Sequence, residues 1–405
     1  MELQKHKLND FLDGYGDGLH GTPAYSDDGT YFFINGNNLE NNGIQITSDT
    51  LRISEDEYQK IKRPLTNNTI LLSINGTLGK LAFYKGEKIA LGKSACFLNI
   101  RNDVDKRYIK YVLSSKEFKK YMLTVASGST IKNFAPKQAA EYEFFAPDLP
   151  TQKKIADVLS CIDDKIALNN KANTELENMA KTIYDYWFTQ FDFPDKNGHP
   201  YKASGGQMVY NEILKREIPA GWEVGKLCDI AKFSTETTNT ENLQNYITTD
   251  NILPNKQGIT KAEYIPTYGN VLRYEEYDIL IANIRPYFKK IWLSNTNGMC
   301  SNDVLCIKAK NSAYKYFLYR LLWRDDFFDY VLKGAKGSKM PRGDKNHIMA
   351  MPIVFPNNED IIESFDTFFT PLQNQIWKNQ KENEELTKLR DYLLPLLMNG
   401  QIEVK

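Results

Sequence analysis

The chain has 405 residues, of which 41% are hydrophobic and 25% charged, and its 51 basic residues balance 51 acidic ones. This length exceeds what one ordinary hydrophobic core organises, so we expect two or more domains of ordinary globular composition. No run of about 18 apolar residues occurs and the first residues lack an apolar signal core, which argues against a membrane span and export and favours a cytoplasmic protein.

Cysteine, histidine and charge patterns narrow the function classes further. Five cysteines without CxxC spacing and four histidines without metal-ligand spacing indicate reduced thiols and no metal site. The zero net charge counts mildly against a nucleic-acid-binding protein. Residues 105–137, however, contain eight Lys/Arg against two Asp/Glu, and residues 333–345 contain five against one. Positive charge is therefore concentrated in two stretches.

The predicted elements fall into two similar series. Residues 1–148 contain β-like runs at 69–74, 80–84 and 95–100 and a predicted helix at 108–125, whose aromatic residues we expect in the core. A long helix occupies 149–190, and 191–218 is a linker rich in Pro and Gly. Residues 219–356 repeat the first series, with runs at 278–282, 290–294 and 304–308 and a helix at 313–332. A second long helix occupies 357–405.

This similarity is a duplication at an offset near 209 residues. Residues 33–39 resemble 246–252, residues 68–74 match 277–283, and residues 107–111 match 315–319. Each match is weak alone, but their order and nearly constant offset cover most of the chain. A two-copy repeat of this length is typical of two domains rather than a solenoid.

Both long helices carry heptad patterns typical of a coiled coil. Each extends over about 35–40 residues, or roughly 50–60 Å at 1.5 Å per residue. The first has its seam at Ile155, Leu159, Ile162, Ile166, Asn169, Asn173, Leu176, Ile183 and Trp187. The second has its seam at Phe365, Phe369, Leu372, Ile376, Asn379, Asn383, Leu386, Leu393 and Leu397.

Two arrangements of these helices are open: each packs independently on its own domain, or they form an antiparallel pair about a pseudo-two-fold axis. Asparagines near the middle of each seam favour the pair, because polar seam residues commonly determine register. The antiparallel register places Asn169 opposite Asn383 and Asn173 opposite Asn379. At the helix ends it brings two apolar pairs together, Ile155 with Leu397 and Trp187 with Phe365.

One kind of loop in each copy follows an apolar strand, at residues 75–80 and 284–289. These loops provide hydrogen bonds, charge and aromatic stacking suited to phosphates or base edges. The alternative is an ordinary hairpin with solvated lysines. The candidate DNA-binding residues are Asn75, Thr77, Lys80, Arg285, Tyr287, Lys289 and Lys290.

A second kind of loop contains glycine, at residues 127–133 and 336–343. Glycine lets backbone amides approach an anion, and nearby cations add charge. A capped turn is the alternative. The candidates here are Ser129, Lys132, Asn133, Ser338, Lys339 and Arg342. The amide-rich residues 36–42 suit either adenine reading or a turn.

Intrinsic catalysis is not expected. Residues 283–287, Asn-Ile-Arg-Pro-Tyr, lack the first proline of the Asn-Pro-Pro-Tyr loop of adenine methyltransferases. A glycine-rich cofactor loop after a first strand and a phosphate-binding P-loop are also missing from the sequence. We therefore predict no catalytic residue, no metal ligand and no bound cofactor. A self-contained DNA methyltransferase and a coiled-coil scaffold that does not bind DNA stay as alternatives.

The central stretch resembles Type I restriction–modification specificity subunits. The resemblance lies in Tyr-Asp-Tyr-Trp-Phe at 184–188, Phe-Asp-Phe-Pro at 191–194, Gly-His-Pro-Tyr-Lys at 198–202 and Ile-Pro-Ala-Gly-Trp at 218–222. Residues 128–133, 147–152 and 283–292 extend it over essentially the whole chain. One departure is that the first copy has no counterpart of Ile-Pro-Ala-Gly-Trp.

The resemblance implies an α+β fold in which two pseudo-two-fold-related, β-rich target-recognition domains are separated by two long helices forming an antiparallel coiled coil. It implies a non-catalytic subunit that reads an asymmetric, bipartite site in double-stranded DNA, with the helices setting the spacing. Two modification subunits that bind S-adenosylmethionine and methylate adenine are the implied partners. Restriction subunits, where present, add ATP- and Mg-dependent translocation and cleavage.

Overall fold

The computed structural model describes residues 2–40, 43–128, 132–240 and 245–404. None of the helices in these ranges has an apolar stretch that could span a bilayer. In chain order, the elements up to the end of the first long helix are β1 (Gln4–Lys7), β2 (Leu12–Asp17), β3 (Tyr31–Ile34), β4 (Leu39–Glu40), β5 (Gly43–Ile44), β6 (Arg52–Ile53), α1 (Glu55–Ile61), β7 (Thr69–Ser73), β8 (Leu81–Phe83), β9 (Ile89–Leu91), β10 (Ala95–Ile100), α2 (Lys106–Ser114), α3 (Lys116–Val125), α4 (Pro136–Ala140), β11 (Glu143–Ala146) and α5 (Leu149–Tyr184).

The second half has the same kind of series and ends in the second long helix. Its elements are β12 (Met208–Asn211), β13 (Arg216–Pro219), β14 (Trp222–Lys226), α6 (Leu227–Ile230), β15 (Ala231–Phe233), β16 (Thr237–Asn239), β17 (Tyr246–Ile247), β18 (Asn270–Tyr274), β19 (Ile279–Ala282), β20 (Ile291–Leu293), β21 (Gly298–Cys300), β22 (Val304–Ala309), α7 (Lys315–Trp323), α8 (Asp325–Lys333), α9 (Lys345–Met349), β23 (Pro352–Pro356) and α10 (Glu359–Met398).

The chain packs as two compact units. Unit 1 comprises residues 1–170 and 380–405, and unit 2 comprises residues 171–379. Unit 1 therefore contains the first part of α5 and the last part of α10, whereas unit 2 contains the remainder of both helices.

Both units are organised around an antiparallel four-stranded sheet with the same connectivity. The strand order is β2-β10-β7-β8 in unit 1 and β15-β22-β19-β20 in unit 2. A parallel pair accompanies each sheet, β3 with β9 and β17 with β21. A separate antiparallel pair forms in each unit, β1 with β11 and β14 with β23. The six predicted β-like runs lie within one residue of β7, β8, β10, β19, β20 and β22. The duplication read from the sequence is thus a duplication of topology.

The inner strands are continuously apolar because both faces of the sheet are covered. Ile70 and Leu72 of β7 pack in one core cluster, while Leu71 between them packs in another. In unit 2, Ile279 and Ile281 of β19 share one cluster and Leu280 lies in a second. Successive side chains of a strand point to opposite faces, so a three-layer core requires apolar residues at every position.

The prediction of one helix at 108–125 and one at 313–332 is wrong, because each is two helices. Ser115 separates α2 from α3 with extended backbone, and its Oγ accepts the Phe118 N–H and donates to the Val112 carbonyl. Arg324 separates α7 from α8 in the same extended conformation. The apolar periodicity of the sequence does not reveal the breaks at Ser115 and Arg324, because the helices on either side of each break still bury an apolar face. The aromatic residues of α2 and α3 lie in the core as expected, with Tyr108 and Phe118 fully buried.

The predicted antiparallel pairing of α5 and α10 is confirmed within each unit. In unit 1, Asn169 Nδ2 donates to Asn383 Oδ1 at 2.9 Å, and Leu397 shares a core cluster with Ile155. In unit 2, Asn379 Nδ2 donates to Asn173 Oδ1 at 2.8 Å, and the rings of Trp187 and Phe365 lie 5.7 Å apart. These are the contacts that the register derived from the seam asparagines requires.

The stretch predicted as a linker, 191–218, packs as part of unit 2. Phe191 and Phe193 are buried against Trp222, with ring centroids 5.2 and 5.3 Å away, and β12 and β13 form a hairpin. Its Pro and Gly mark turns, whereas its aromatic residues carry the packing.

An ion pair fastens each sheet domain to its helix pair. In unit 1, Asp163 of α5 accepts from Lys110 at 2.7 Å, Tyr111 at 2.8 Å and Arg390 of α10 at 3.0 Å. Burial opposes ionisation of Asp163, but these donors outweigh it and hold its pKa below the ordinary value. In unit 2, Arg320 of α7, 1% exposed, donates to Glu177 at 2.6 Å.

We expect Asp163→Asn to lower the free energy of unfolding of the full chain by about 3 kcal/mol at pH 7, because it leaves the buried Lys110 without a charged partner. A depressed folded-state pKa contributes stability above the unfolded-state value of about 3.9, and that stability is lost as pH falls through the folded-state value. The difference between the variant and the native chain should therefore shrink below about pH 4. Urea unfolding followed by circular dichroism, at pH 7 and below about pH 4, measures this difference in the free energy of unfolding.

Asp157→Asn is the matched control, because Asp157 pairs with Arg107 at 2.7 Å while its side chain is 65% exposed. An exposed pair contributes about 0–1 kcal/mol, so this variant should change stability little. Equal losses from the two variants would contradict the role assigned to Asp163.

Candidate nucleic-acid interface

The two predicted kinds of loop lie side by side in unit 1. Hairpin loop 1 (residues 74–80) joins β7 to β8, and glycine loop 1 (residues 126–135) joins α3 to α4. The Phe134 N–H donates to the Ile74 carbonyl at 2.9 Å, and Asn75 pairs with Asn133 in an antiparallel bridge. Glycine loop 1 is also closed on itself, since Ser127 and Asn133 exchange backbone hydrogen bonds of 2.9 and 2.8 Å.

Unit 2 repeats this arrangement. Hairpin loop 2 (residues 283–290) joins β19 to β20, and glycine loop 2 (residues 335–343) joins α8 to α9. The Arg285 N–H donates to the Pro341 carbonyl at 2.8 Å, and Ile284 pairs with Arg342 in an antiparallel bridge. Gly128 and Gly337 adopt left-handed backbone at equivalent positions, with φ of 94° and 95°. The same pair of loops is thus built twice from largely different side chains.

The hairpin loops differ where the backbone is left-handed. In hairpin loop 1 these positions are Gly76 and Gly79, with φ of 73° and 83°. Strand pairing of Leu72 with Leu81 and of Ile281 with Ile291 makes Arg285 and Lys289 their counterparts, with φ of 54° and 50°. A left-handed residue other than glycine costs roughly 1–2 kcal/mol. In unit 2, Arg285 and Lys289 therefore occupy backbone conformations in which glycine would cost the hairpin less free energy.

Three predicted cations of unit 2 have protein partners. Lys289 pairs with Asp325 at 2.8 Å, and Lys290 donates to the Thr249 carbonyl. Arg342 pairs with Asp303 at 3.2 Å, with its side chain 57% exposed. By contrast, Arg285 and Lys339 are exposed, and the structure gives neither an ion-pair partner within the described part of the chain.

Asp325 is a site residue that the sequence did not indicate. It accepts from Lys256 as well as Lys289, both at 2.8 Å. The hydrogen bond from Lys256, followed by that from Lys289, lowers the pKa of Asp325 to about 2. Lys256 also lies over the ring of Trp323, 4.1 Å from its centroid. No local sequence pattern predicts this cluster, because Lys256, Lys289 and Asp325 are far apart in the chain.

The predicted DNA-binding residues of unit 1 include fewer charged side chains than those of unit 2. Thr77, Lys132 and Asn133 are exposed, whereas Asn75 and Lys80 are half-buried. Ser129 lies outside the described residues. In unit 2, Ser338 is exposed and the Tyr287 side chain is 46% exposed. Within the described ranges, no group of three or more His, Cys, Asp or Glu residues lies in position to hold a metal ion.

The amide-rich stretch 36–42 is partly a structural turn. Asn38 Oδ1 accepts the Asn35 N–H at 3.0 Å, and Asn251 Oδ1 accepts the Thr248 N–H at 2.6 Å at the equivalent position of unit 2. Both asparagines also donate to backbone carbonyls. Asn37 is exposed, and residues 41 and 42 lie outside the described residues.

Comparison with known proteins shows which sequences this chain is similar to. Residues 4–178 match the Type I restriction modification DNA specificity domain. The chain is 28% identical over 383 residues to the Type I restriction enzyme MjaIX specificity subunit of Methanocaldococcus jannaschii, covering 89% of this chain and 84% of that protein. It is 22% identical over 369 residues to the HindI specificity subunit of Haemophilus influenzae, covering 74% and 78%.

A solved structure shares the fold. The Type I restriction–modification S subunit of M. genitalium superimposes with a TM-score of 0.56 and 16% sequence identity, covering 98% of this chain and 96% of that one. In sequence the chain is therefore similar to Type I restriction–modification specificity subunits, and in fold it resembles one of them.

Proposed function

We propose that each unit of this chain reads one half of an asymmetric, bipartite site in double-stranded DNA, and that the chain has no catalytic activity of its own. The observation that carries the proposal is the hairpin loop held beside a glycine loop in both units. Each pair combines exposed cations or amides with backbone N–H groups, which is what phosphate and base-edge contacts need.

Differences at equivalent loop positions support an asymmetric target. Asn75 corresponds to Ile284 and Asn133 to Arg342, as the backbone bridges of the two units align them. An amide suits adenine, whereas arginine suits guanine or phosphate. One backbone arrangement therefore presents different hydrogen-bonding groups in the two halves.

Within this proposal, the role of each predicted DNA-binding residue depends on whether it already has a protein partner. Arg285, Lys339 and Lys132 contact phosphates, because they are exposed. Lys289 and Lys290 already bind protein acceptors, so we assign them to holding hairpin loop 2. Arg342 exchanges its exposed pair with Asp303 for DNA, since such a pair contributes little stability. The remaining predicted residues supply hydrogen bonds, charge and stacking: Asn75, Thr77, Lys80, Ser129, Asn133, Tyr287 and Ser338.

We further propose two adenine-methylating subunits, and restriction subunits where they exist, as protein partners. S-adenosylmethionine, ATP and Mg²⁺ would then be bound by those subunits. Exposed apolar side chains on the long helices support a docking role: Leu168 and Tyr392 in unit 1 are 61% and 66% exposed, and Met179 in unit 2 is 50% exposed. Apolar side chains exposed along a helix are typical of surfaces that bind a partner.

Salt-dependent binding tests the DNA proposal. The full chain, alone and with its adenine-methylating partner, is titrated by fluorescence anisotropy against a duplex bearing the sequence that methylome mapping identifies. Each phosphate contact contributes about 0.9 to the slope of log affinity against log salt, so Arg285→Ala and Lys339→Ala should each reduce the slope by about that amount. Binding that does not depend on salt, or an absence of binding, would favour a scaffold that does not contact DNA.

Arg285→Gly separates stability from binding. Glycine relieves the left-handed strain, so the free energy of unfolding should rise by about 0.5–1 kcal/mol. DNA affinity should nevertheless fall, because a phosphate contact is lost. The matched control is Lys215→Gly, since Lys215 is an exposed cation with φ of 52° in the β12–β13 turn. The control should gain stability and keep full affinity; a similar affinity loss in both variants would refute the contact by Arg285.

A further inference from the structure

The tip of hairpin loop 2 presents two aromatic rings to solvent. Tyr287 is 46% exposed and Phe288 is 39% exposed, and their ring centroids lie 4.7 Å apart with planes inclined by 54°. The rings therefore form one contiguous aromatic projection at the point where the hairpin turns. Contiguous exposed apolar surface is a feature of binding sites.

The backbone beneath these rings is held on several sides. Pro286 is buried, and the Arg285 N–H bonds to glycine loop 2. The Lys256 N–H donates to the Lys289 carbonyl at 3.0 Å, while Lys289 Nζ pairs with Asp325. The turn is therefore preorganised, and the groups directed outward are the two rings and the Arg285 guanidinium.

Hairpin loop 1 shows that the fold does not require these rings. Its tip reads Gly76-Thr77-Leu78-Gly79, in which Thr77 is exposed and Leu78 packs against the core of unit 1. The same strand pairing and the same bridge to a glycine loop form there without an exposed aromatic residue. In unit 2 the rings occupy a turn with two left-handed residues other than glycine. Backbone strain combined with exposed apolar area indicates a ligand.

The surroundings of the rings select the chemistry of that ligand. Arg285 is on the same turn, and Arg342 lies on the glycine loop bridged to it. Flat apolar faces beside cations match nucleobases beside phosphates, and apolar side chains inserted at a base step unstack and kink a duplex.

We infer that Tyr287 and Phe288 form a wedge that enters the base stack in the half-site read by unit 2, whereas unit 1, with Thr77 at its tip, leaves its half-site stacked. This inference rests on the proposed function. It adds a specificity mechanism to one half-site only. Unit 2 discriminates between DNA sequences by how easily a base-pair step unstacks. Pyrimidine–purine steps open most easily, so such a step belongs at the wedge.

The test uses the full chain and a set of duplexes carrying the mapped site, with 2-aminopurine at one position in each. Anisotropy reports binding, and 2-aminopurine fluorescence reports unstacking. The native chain should raise the fluorescence several-fold at one step of one half-site. Tyr287→Ala/Phe288→Ala should bind about tenfold or more weakly, as expected for lost base stacking, with an unchanged salt slope. At saturation it should give no fluorescence rise.

Two further variants keep the outcome interpretable. Phe288→Leu preserves an apolar wedge and should retain most of the fluorescence rise. Tyr210→Ala removes a 56% exposed ring from β12 in the same unit and should leave binding and fluorescence unchanged.

Salt-dependent binding without a fluorescence rise at any step would overturn the wedge and leave the proposed DNA reading intact. If Tyr287→Ala/Phe288→Ala no longer bound the methylating subunit but bound DNA as the native chain does, the rings would be a protein contact. That result would also overturn the wedge. Failure of the native chain to bind any duplex would remove the proposed function itself.

Discussion

The antiparallel seam of α5 and α10 is the constraint on which both units depend, because it buries side-chain amides that must be satisfied. Asn169 and Asn379 are 4% and 5% exposed. A buried amide without partners costs more than an ordinary hydrogen bond contributes, so the seam is stable only where these amides meet acceptors. In each unit one acceptor is an asparagine of the other helix. A slip by one helical turn would still pair two of the four seam asparagines but would leave the other two facing apolar side chains, so the observed register is the favourable one.

That register determines how each unit is completed. Unit 1 contains residues from both ends of the chain, and Arg390 of α10 reaches Asp163 of α5, which also holds Lys110 of the sheet domain. In unit 2 the corresponding fastening is a buried arginine, Arg320, on Glu177. The two fastenings use different elements and different residue types. Each unit thus attaches its sheet domain to the helix pair through a charged contact, but not through equivalent residues.

Much of this architecture could be predicted from the sequence, for reasons that are local or periodic. Apolar runs such as 95–100 located the inner strands, and the asparagines in the heptad pattern gave the helix register. The breaks at Ser115 and Arg324 were missed, because capping and extended backbone leave the apolar face intact on both sides. The cluster around Asp325 was also missed, since it joins Lys256 and Lys289 across the fold. The left-handed backbone of Arg285 had one available signal, the glycine at the equivalent place in the first copy.

The way each loop pair is joined explains how one fold can accommodate two readings. The bonds between hairpin loop and glycine loop run through backbone groups: Phe134 N–H to Ile74 in unit 1, and Arg285 N–H to Pro341 in unit 2. Backbone bonds do not depend on side-chain identity, so the residues at these positions are free to change without dismantling the loops. Asn133 and Arg342 occupy the same bridge, one neutral and one cationic. The surface that faces a ligand can therefore diverge between the copies, while the core and the seam hold both copies to one shape.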